Sequence, residues 1–425
     1  MLFILEGGVI LESIKSVLWE KIDDKKDELI SLCSKLISIN SENPPGNMEE
    51  ITSFICSYLD DKGISYEIVR PREDRPNIIA KMGNKGGKTL IINGHSDVVP
   101  VGDLSKWDFD PFSGEVVDGK VLGRGTSDMK GGLASALFAM GLLKDENINI
   151  DGEIVLTVVP DEETGGEFGT SWLVENGYCS GDYCIIAEPT DIDNIEVGQR
   201  GQVKANLCCE GVSAHGSLWP YVGDNAIVKL MGILNEFNKL TELKGSYDDE
   251  IQKVIDESKE VAEKCIGVKN VGNIIDHVTV NVGKITGGTK RNMVADYAEA
   301  QLDIRIPLGV TTVMVIDEME KILNNLNVED VTYDVIGRSE ANKVSVKSDL
   351  VQSVKDNAQN AIGKNVTATY QWASSDALYF RKAGIDTIQY GPANTEGIHS
   401  YNENVDVADL ISASKVYVGA VLDLL

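Results

Sequence analysis

Residues 153–166, EIVLTVVPDEETGG, constrain the fold more than any other stretch of the chain. Glu153 to Val159 is a run of β-formers that breaks at Pro160 into three acids, Asp161, Glu162 and Glu163, and a glycine pair. Successive strand side chains point to opposite faces. Glu162 and Glu163 can therefore face different things, one a metal and the other a substrate. Standing alone, the stretch fits a solvated acidic loop better. The rest of the chain decides between the two.

Upstream and downstream the same rhythm recurs. Apolar periodicity predicts one helix over 11–38, a loop over 38–47 (SINSENPPGN) and a helix over 48–59. Strands follow near 65–69, 77–81 and 88–93, the last running directly into GHSDVVP, 94–100. A hairpin-like segment at 114–123 leads to GRGTSDMKGG, 123–132, and then to LASALFAMGLL, 133–143, apolar on nearly every side and so a buried helix. After 153–159 come a helix near 168–176 and a strand at 183–187 ending in Glu188–Pro189. Strands alternating with helices indicate an α/β domain with a mixed, mostly parallel sheet and helices on both faces.

From Gly201 the order changes to strand 203–210, helix 225–240, strands 278–285 and 298–306, helix 311–326 and strand 331–336. That β-α-β-β-α-β order is the signature of a ferredoxin-like α+β unit. The polar stretch 241–272 reads as a helical elaboration of it. The alternation of the first domain resumes near 341. The chain is thus expected to hold one discontinuous domain, 1–199 with 340–425, interrupted by an inserted domain, 200–339.

Composition narrows the partners. A formal net charge of −28 over 425 residues argues against nucleic acid or an anionic membrane as a partner. Seven cysteines without a CxxC pair fit reduced thiols in a cytoplasmic protein rather than a disulfide frame. The apolar opening MLFILEGGVI lacks a basic segment and carries Glu6, so it does not read as a signal peptide. No apolar run approaches the roughly 20 residues of a membrane span.

With only four histidines, their placement is informative. His95 ends an apolar strand, and Asp97 follows two residues on. His399 lies in a turn-rich loop, YGPANTEGIHSYNENV, beyond the strand 387–390. Ligands of open α/β sheets gather outside the carboxyl ends of the strands, where His95, Glu163, Glu188 and His399 all fall. Asp128 sits where a loop enters the buried helix. Two imidazoles and three carboxylates in one crevice suit zinc or a similar divalent ion. Five ligands exceed what one catalytic zinc needs, and two metals sharing a carboxylate account for the surplus. Asp97 suits an outer role, accepting the N–H of His95 and setting its tautomer. A glycosidase reading of the acidic pairs leaves both histidines unexplained. GRGTSDMKGG lacks the P-loop pattern and carries an acid where phosphate would sit.

GHSDVVP, LGRGTSDMKGG, PDEETGG, IIAEPT, GVSAHGS and GPANTEGIHSYNENV, in this order, resemble the co-catalytic zinc deacylases and exopeptidases. That family includes acetylornithine deacetylase, succinyl-diaminopimelate desuccinylase, glutamate carboxypeptidase and aminoacylase. The resemblance spans about residues 35–410. It implies a zinc-exopeptidase-like catalytic domain with an inserted lid, through which members dimerise. It implies two Zn²⁺ per subunit, with Co²⁺ or Mn²⁺ as substitutes: one on His95 and Glu188, one on Glu163 and His399, with Asp128 bridging. It makes Glu162 the general base and His215 an oxyanion donor that, in family dimers, reaches the partner's site. Arg200, Asn292 and Arg305 fall where members hold a substrate carboxylate or shape the closed site, although a salt bridge within the lid fits each as well. His277 matches no motif and reads as structural.

The implied activity is hydrolysis of an N-acyl-amino acid or a short peptide by a cytoplasmic homodimer. One departure qualifies this. Desuccinylases carry an arginine within three positions of the Ser-Asp in the segment written here WASSDALYF. Here Asp376 is followed by Ala377, Leu378 and Tyr379, and the next arginine is Arg381. That puts strict desuccinylase activity in doubt and leaves a dipeptidase or carboxypeptidase as the second reading.

Overall fold

A computed structural model describes residues 7–425 and divides them into two compact units. The chain up to Val197, with Val344–Thr369 and Ser375–Leu425, forms the first; Gly198–Lys343 with Tyr370–Ser374 forms the second. Residues 1–6 of the apolar opening lie outside the described residues.

The first unit is built on a mixed sheet ordered Ser65–Arg72, Arg75–Gly83, Glu153–Val159, Thr89–His95, Tyr183–Ile186, Asp386–Gln389 and Asn194–Gln199. The four strands 153–159, 89–95, 183–186 and 386–389 are mutually parallel and form its centre; the flanking pairings are antiparallel. In register, His95 lies opposite Val159, Asn93 opposite Ile186, and Gln389 opposite Ile186. The carboxyl ends of all four strands thus open on one edge.

Both faces of this sheet are covered. On one, Ile91, Val155, Cys184 and Ile186 meet Leu173, Ala377 and Phe380 from the short helices Thr170–Glu175 and Ala377–Lys382. On the other lies the helix Gly131–Asp145, buried continuously from Gly131 to Leu143, as an apolar surface all round demands. It packs in turn against the terminal helix Val407–Leu424. Gly132 permits its close seat: a Cβ there would stand 1.9 Å from the Ala187 carbonyl oxygen, one residue before Glu188.

Two local readings differ from the expectation. The segment 11–38 is two helices, Gly7–Asp24 and Lys26–Ser38. The charged run Asp23–Glu28 interrupts the apolar period, and Asp27 and Glu28 occupy the first turn of the second helix, where acids suit the helix dipole. The strand Asn194–Gln199 escaped the reading because Glu196 and Gly198 break its apolar run. It is nevertheless buried throughout, and Gln389 Nε2 donates to Glu196 Oε2 at 2.7 Å.

The second unit is a four-stranded antiparallel sheet, ordered Thr279–Gly287, Tyr297–Ile306, Gly201–Glu210, Val331–Ser339. Taken with the helices Ala226–Phe237 and Thr312–Leu326, this is the ferredoxin-like arrangement. Alternation along 201–210 sends Val203, Ala205, Leu207 and Cys209 into a core with Leu230, Ile233, Phe237, Val315 and Met319. The stretch 241–272 contains the helix Asp249–Ile266, capped by Asp248 through the Ile251 N–H and ended by Gly267 at φ 71°.

Candidate metal centre

Three adjacent parallel strands deliver most of the site. His95 is the last residue of its strand and is 1 % exposed. Glu162 and Glu163 open a single helical turn just past Val159. Glu188 follows Tyr183–Ile186 by two residues and is buried. The fourth strand, 386–389, leads into the loop that carries His399, held at φ 56°. Asp128 arrives from the other side, in the irregular turn before the buried helix.

Asp128 stands between the two imidazoles. Its Oδ1 lies 3.1 Å from His95 Nε2, and its Oδ2 lies 3.3 Å from His399 Nε2. His399 Nε2 is also 3.2 Å from Glu163 Oε2, and His95 Nε2 is 3.9 Å from Glu188 Oε1. Two donor groups result, His95–Asp128–Glu163 and His95–Glu162–Glu188, each with its ligand atoms within 4.8 Å of one another.

Asp97 is fully buried behind His95. His95 Nδ1 faces the Asp97 carbonyl oxygen at 2.9 Å and its carboxylate at 3.4 Å, which places Nε2 on the site side. The same carboxylate accepts the backbone N–H groups of Glu162 (3.2 Å) and Glu163 (3.3 Å), so it also holds the acidic turn. Asn43 Nδ2 donates to it at 2.9 Å.

The electrostatics follow from burial and crowding. Burial alone would lower His95, but hydrogen bonds to Asp128 and Asp97 hold its imidazole well above the usual range. Hydrogen bonds to Asp128 and Glu163 push His399 up to about 10. Burial would raise Asp128, yet the hydrogen bonds from His399 and His95 outweigh it and hold the carboxyl well below its ordinary value. Glu162 and Glu188 are raised by burial first and by neighbouring carboxylates next. Burial raises Glu163 as well, and its Oε1 is buried without a hydrogen-bond partner. Two imidazoles, clustered carboxylates and an orphaned carboxylate oxygen are a donor set that fits divalent cations of the zinc type.

The remaining candidates belong to the second unit. His215 and Asn292 are both exposed and adjacent: the Gly216 N–H donates to the Asn292 carbonyl at 2.8 Å, and His215 bridges to Met293. His215 Nδ1 lies 2.7 Å from Ser217 Oγ and 3.3 Å from the Ser217 backbone N. Arg200 is buried, with Nη2 donating to the carbonyls of His277 and Arg305 and to Thr279 Oγ1. Arg305 closes its fork on Asp303 and reaches Ser374 Oγ with Nη1. His277 pairs with Asp276. Arg381, the first arginine after Asp376, donates to the carbonyls of Thr387 and Glu196.

Two participants went unread in the sequence. Asn43 sits in a Pro-rich loop that carries no chemical signature. Glu403, four residues past His399, accepts four hydrogen bonds from the loop of Asp128. Its only signal is that it is the second acid, after Glu396, in the loop of His399.

Comparison with known proteins finds a family and a shared fold. Residues 91–423 match the family described as Peptidase family M20/M25/M40. A protein of Staphylococcus aureus (strain MRSA252) named probable succinyl-diaminopimelate desuccinylase is 29% identical over 385 residues, covering 89% of this chain and 93% of its own. A Staphylococcus epidermidis protein of the same name is 28% identical over 401 residues, 92% of this chain and 96% of its own. Among solved structures, the M20 family metallo-carboxypeptidase Sso-CP2 from Sulfolobus solfataricus shares the fold at a TM-score of 0.78. Its identity is 22%, over 93% of this chain and 99% of that one.

Proposed function

Since this chain belongs to peptidase family M20/M25/M40, whose members are hydrolases of amide bonds, we propose that it removes the acyl group of an N-acyl-amino acid at a two-metal centre. The observation that carries the reading is the division of Asp128, one carboxylate oxygen toward each imidazole. In this reading His95 and Glu188 would hold one divalent ion, Glu163 and His399 would hold the other, and Asp128 would be shared between them. Zn²⁺ is the first choice for both, with Co²⁺ or Mn²⁺ as substitutes. The relatives named desuccinylases support an N-acyl substrate.

Two such ions, when bound, lower the pKa of a shared water and polarise the amide carbonyl. The chain's own residues do the rest. Glu162 takes the proton of the attacking water and returns it to the leaving amine, a task that a buried carboxyl with a raised pKa suits near neutral pH. Asp97 keeps His95 in the tautomer that offers Nε2. His215, whose Nδ1 is engaged by Ser217, would turn its Nε2 to the tetrahedral oxyanion as donor. Residues 1–199 with 340–425 act as the catalytic domain, and 200–339 as the lid and dimer contact. Arg200 and Arg305 shape that lid, and Asn292 stands beside His215 for substrate.

A dipeptidase or carboxypeptidase reading uses the same centre. It is favoured by one observation: Arg381 is engaged by backbone carbonyls, so no arginine just beyond Asp376 is left to grip a diaminopimelate carboxylate.

Amine release by metal-loaded protein, measured over N-acetyl amino acids, N-succinyl-diaminopimelate and plain dipeptides, separates the readings. Preference for acyl-amino acids is the expected result; preference for dipeptides moves the activity to the peptidase branch. Glu162→Gln should reduce kcat by at least about 10³-fold while two metals stay bound. Near-normal turnover in that variant would remove Glu162 as the base.

A further inference from the structure

Glu403 is completely buried and touches neither imidazole, yet it is bonded wholly to the loop of the shared carboxylate. Its Oε1 accepts the backbone N–H groups of Ser127 (2.9 Å) and Asp128 (3.1 Å). Its Oε2 accepts the N–H of Gly125 (3.0 Å) and Nη1 of Arg124 (2.6 Å). A carboxylate offers about four lone-pair sites, and here all four are filled by residues 124–128. The backbone adds to this junction. Gly123 N donates to the Glu403 carbonyl, and Ser127 Oγ donates to the Asn404 carbonyl while accepting the Asn394 N–H.

We propose that Glu403 is the positioning residue of the two-metal centre: it fixes the backbone from which Asp128 projects and ties that backbone to the loop of His399. The inference rests on the two-metal reading above. A carboxylate that serves one partner tolerates rotation, because either oxygen will do. Asp128 must aim both oxygens at once, Oδ1 toward His95 and Oδ2 toward His399. Its own N–H is one of the four held by Glu403, and His399 lies four residues before Glu403 in the same loop. One side chain therefore sets both the bridging carboxylate and an imidazole it faces.

Glutamate is required by chemistry as well as by shape. In Glu403→Gln one oxygen becomes an NH₂ group, which would face two N–H donors instead of accepting from them. Either Gly125 and Arg124, or Ser127 and Asp128, lose their acceptor. The loop must then move, and the loss should fall on simultaneous occupancy of the two sites.

The test is calorimetric titration of metal-free protein with Co²⁺, read together with the Co²⁺ absorption spectrum. Wild type is expected to take up two equivalents. Glu403→Gln should bind the first nearly as wild type does and the second 10–100-fold more weakly, the usual effect of removing an outer-shell partner, with a changed visible band. Arg124→Lys, which leaves the three backbone bonds to Glu403 in place, should keep the wild-type titration. Two wild-type affinities in Glu403→Gln overturn the inference. So does an equal loss in Arg124→Lys, which would assign the effect to the ion pair. If Glu403→Gln does not fold, Glu403→Asp retains the charge but is one methylene short of the N–H row. The same weakened second equivalent is expected there, and a wild-type titration overturns the inference. A wild-type protein that binds fewer than two equivalents overturns the two-metal reading itself.

Discussion

At the scale of single residues, buried acids set the pH response. Glu196, pushed up to about 8 by burial, lies in the strand Asn194–Gln199, away from the metal ligands. Its unfolded value is about 4.3. Between those limits the folded chain holds a proton that the unfolded chain has released, so stability falls as pH rises from about 4.3 toward 8. Glu196→Gln should flatten that fall in urea midpoints measured from pH 5 to 8; an unchanged slope would mean that Glu196 is ionised in the fold. The sequence announced His95, Asp128, Glu163, Glu188 and His399 as candidates because strand ends are legible as breaks in apolar runs. Glu403 and Asn43 were not legible. Their partners are backbone N–H groups and a neighbouring carboxylate brought close only by folding, and a sequence does not display backbone donors.

At the scale of elements, the helix Gly131–Asp145 shows how position overrides propensity. Alanine is favoured over glycine in a helix interior by about 1 kcal/mol. At Gly132, however, the added Cβ would meet the Ala187 carbonyl oxygen at 1.9 Å, a backbone atom with no rotamer to change. Overpacking of this kind costs about 1–3 kcal/mol. Gly132→Ala should therefore lower the urea midpoint with an unchanged m-value, and a raised midpoint would contradict the packing described. Three strands of the second unit, Gly201–Glu210, Tyr297–Ile306 and Val331–Ser339, were readable because one face is more covered than the other and period-two alternation marks it. The strand Asn194–Gln199 is buried on all sides and carries Glu196, so neither alternation nor an apolar run betrays it. The break at Lys25 was hidden because the charged run around it holds neither Gly nor Pro, the residues that announce a helix end.

At the scale of the whole molecule, a net charge of −28 and an acidic centre predict a dependence on cations. A ligand that binds only the folded state stabilises it by about 2.7 kcal/mol when present at 100 times its Kd. Chelation should lower the melting temperature, and added Zn²⁺ or Co²⁺ should restore it with saturation near two equivalents. A melting temperature indifferent to chelator and metal alike would speak against a resident metal.

The discontinuous sheet also has a consequence for how the protein is made. A ribosome releases the chain from its amino end, and domains generally fold as units. The four-stranded sheet of the second unit is complete once Val331–Ser339 has emerged. The first unit still lacks its fourth parallel strand, Asp386–Gln389, and with it His399 and Glu403. Although the first unit begins earlier in the chain, it is finished later. Until Asp386–Gln389 has emerged, Tyr183–Ile186 presents an unpaired edge, and until Glu403 follows, the Asp128 loop has no carboxylate to hold it.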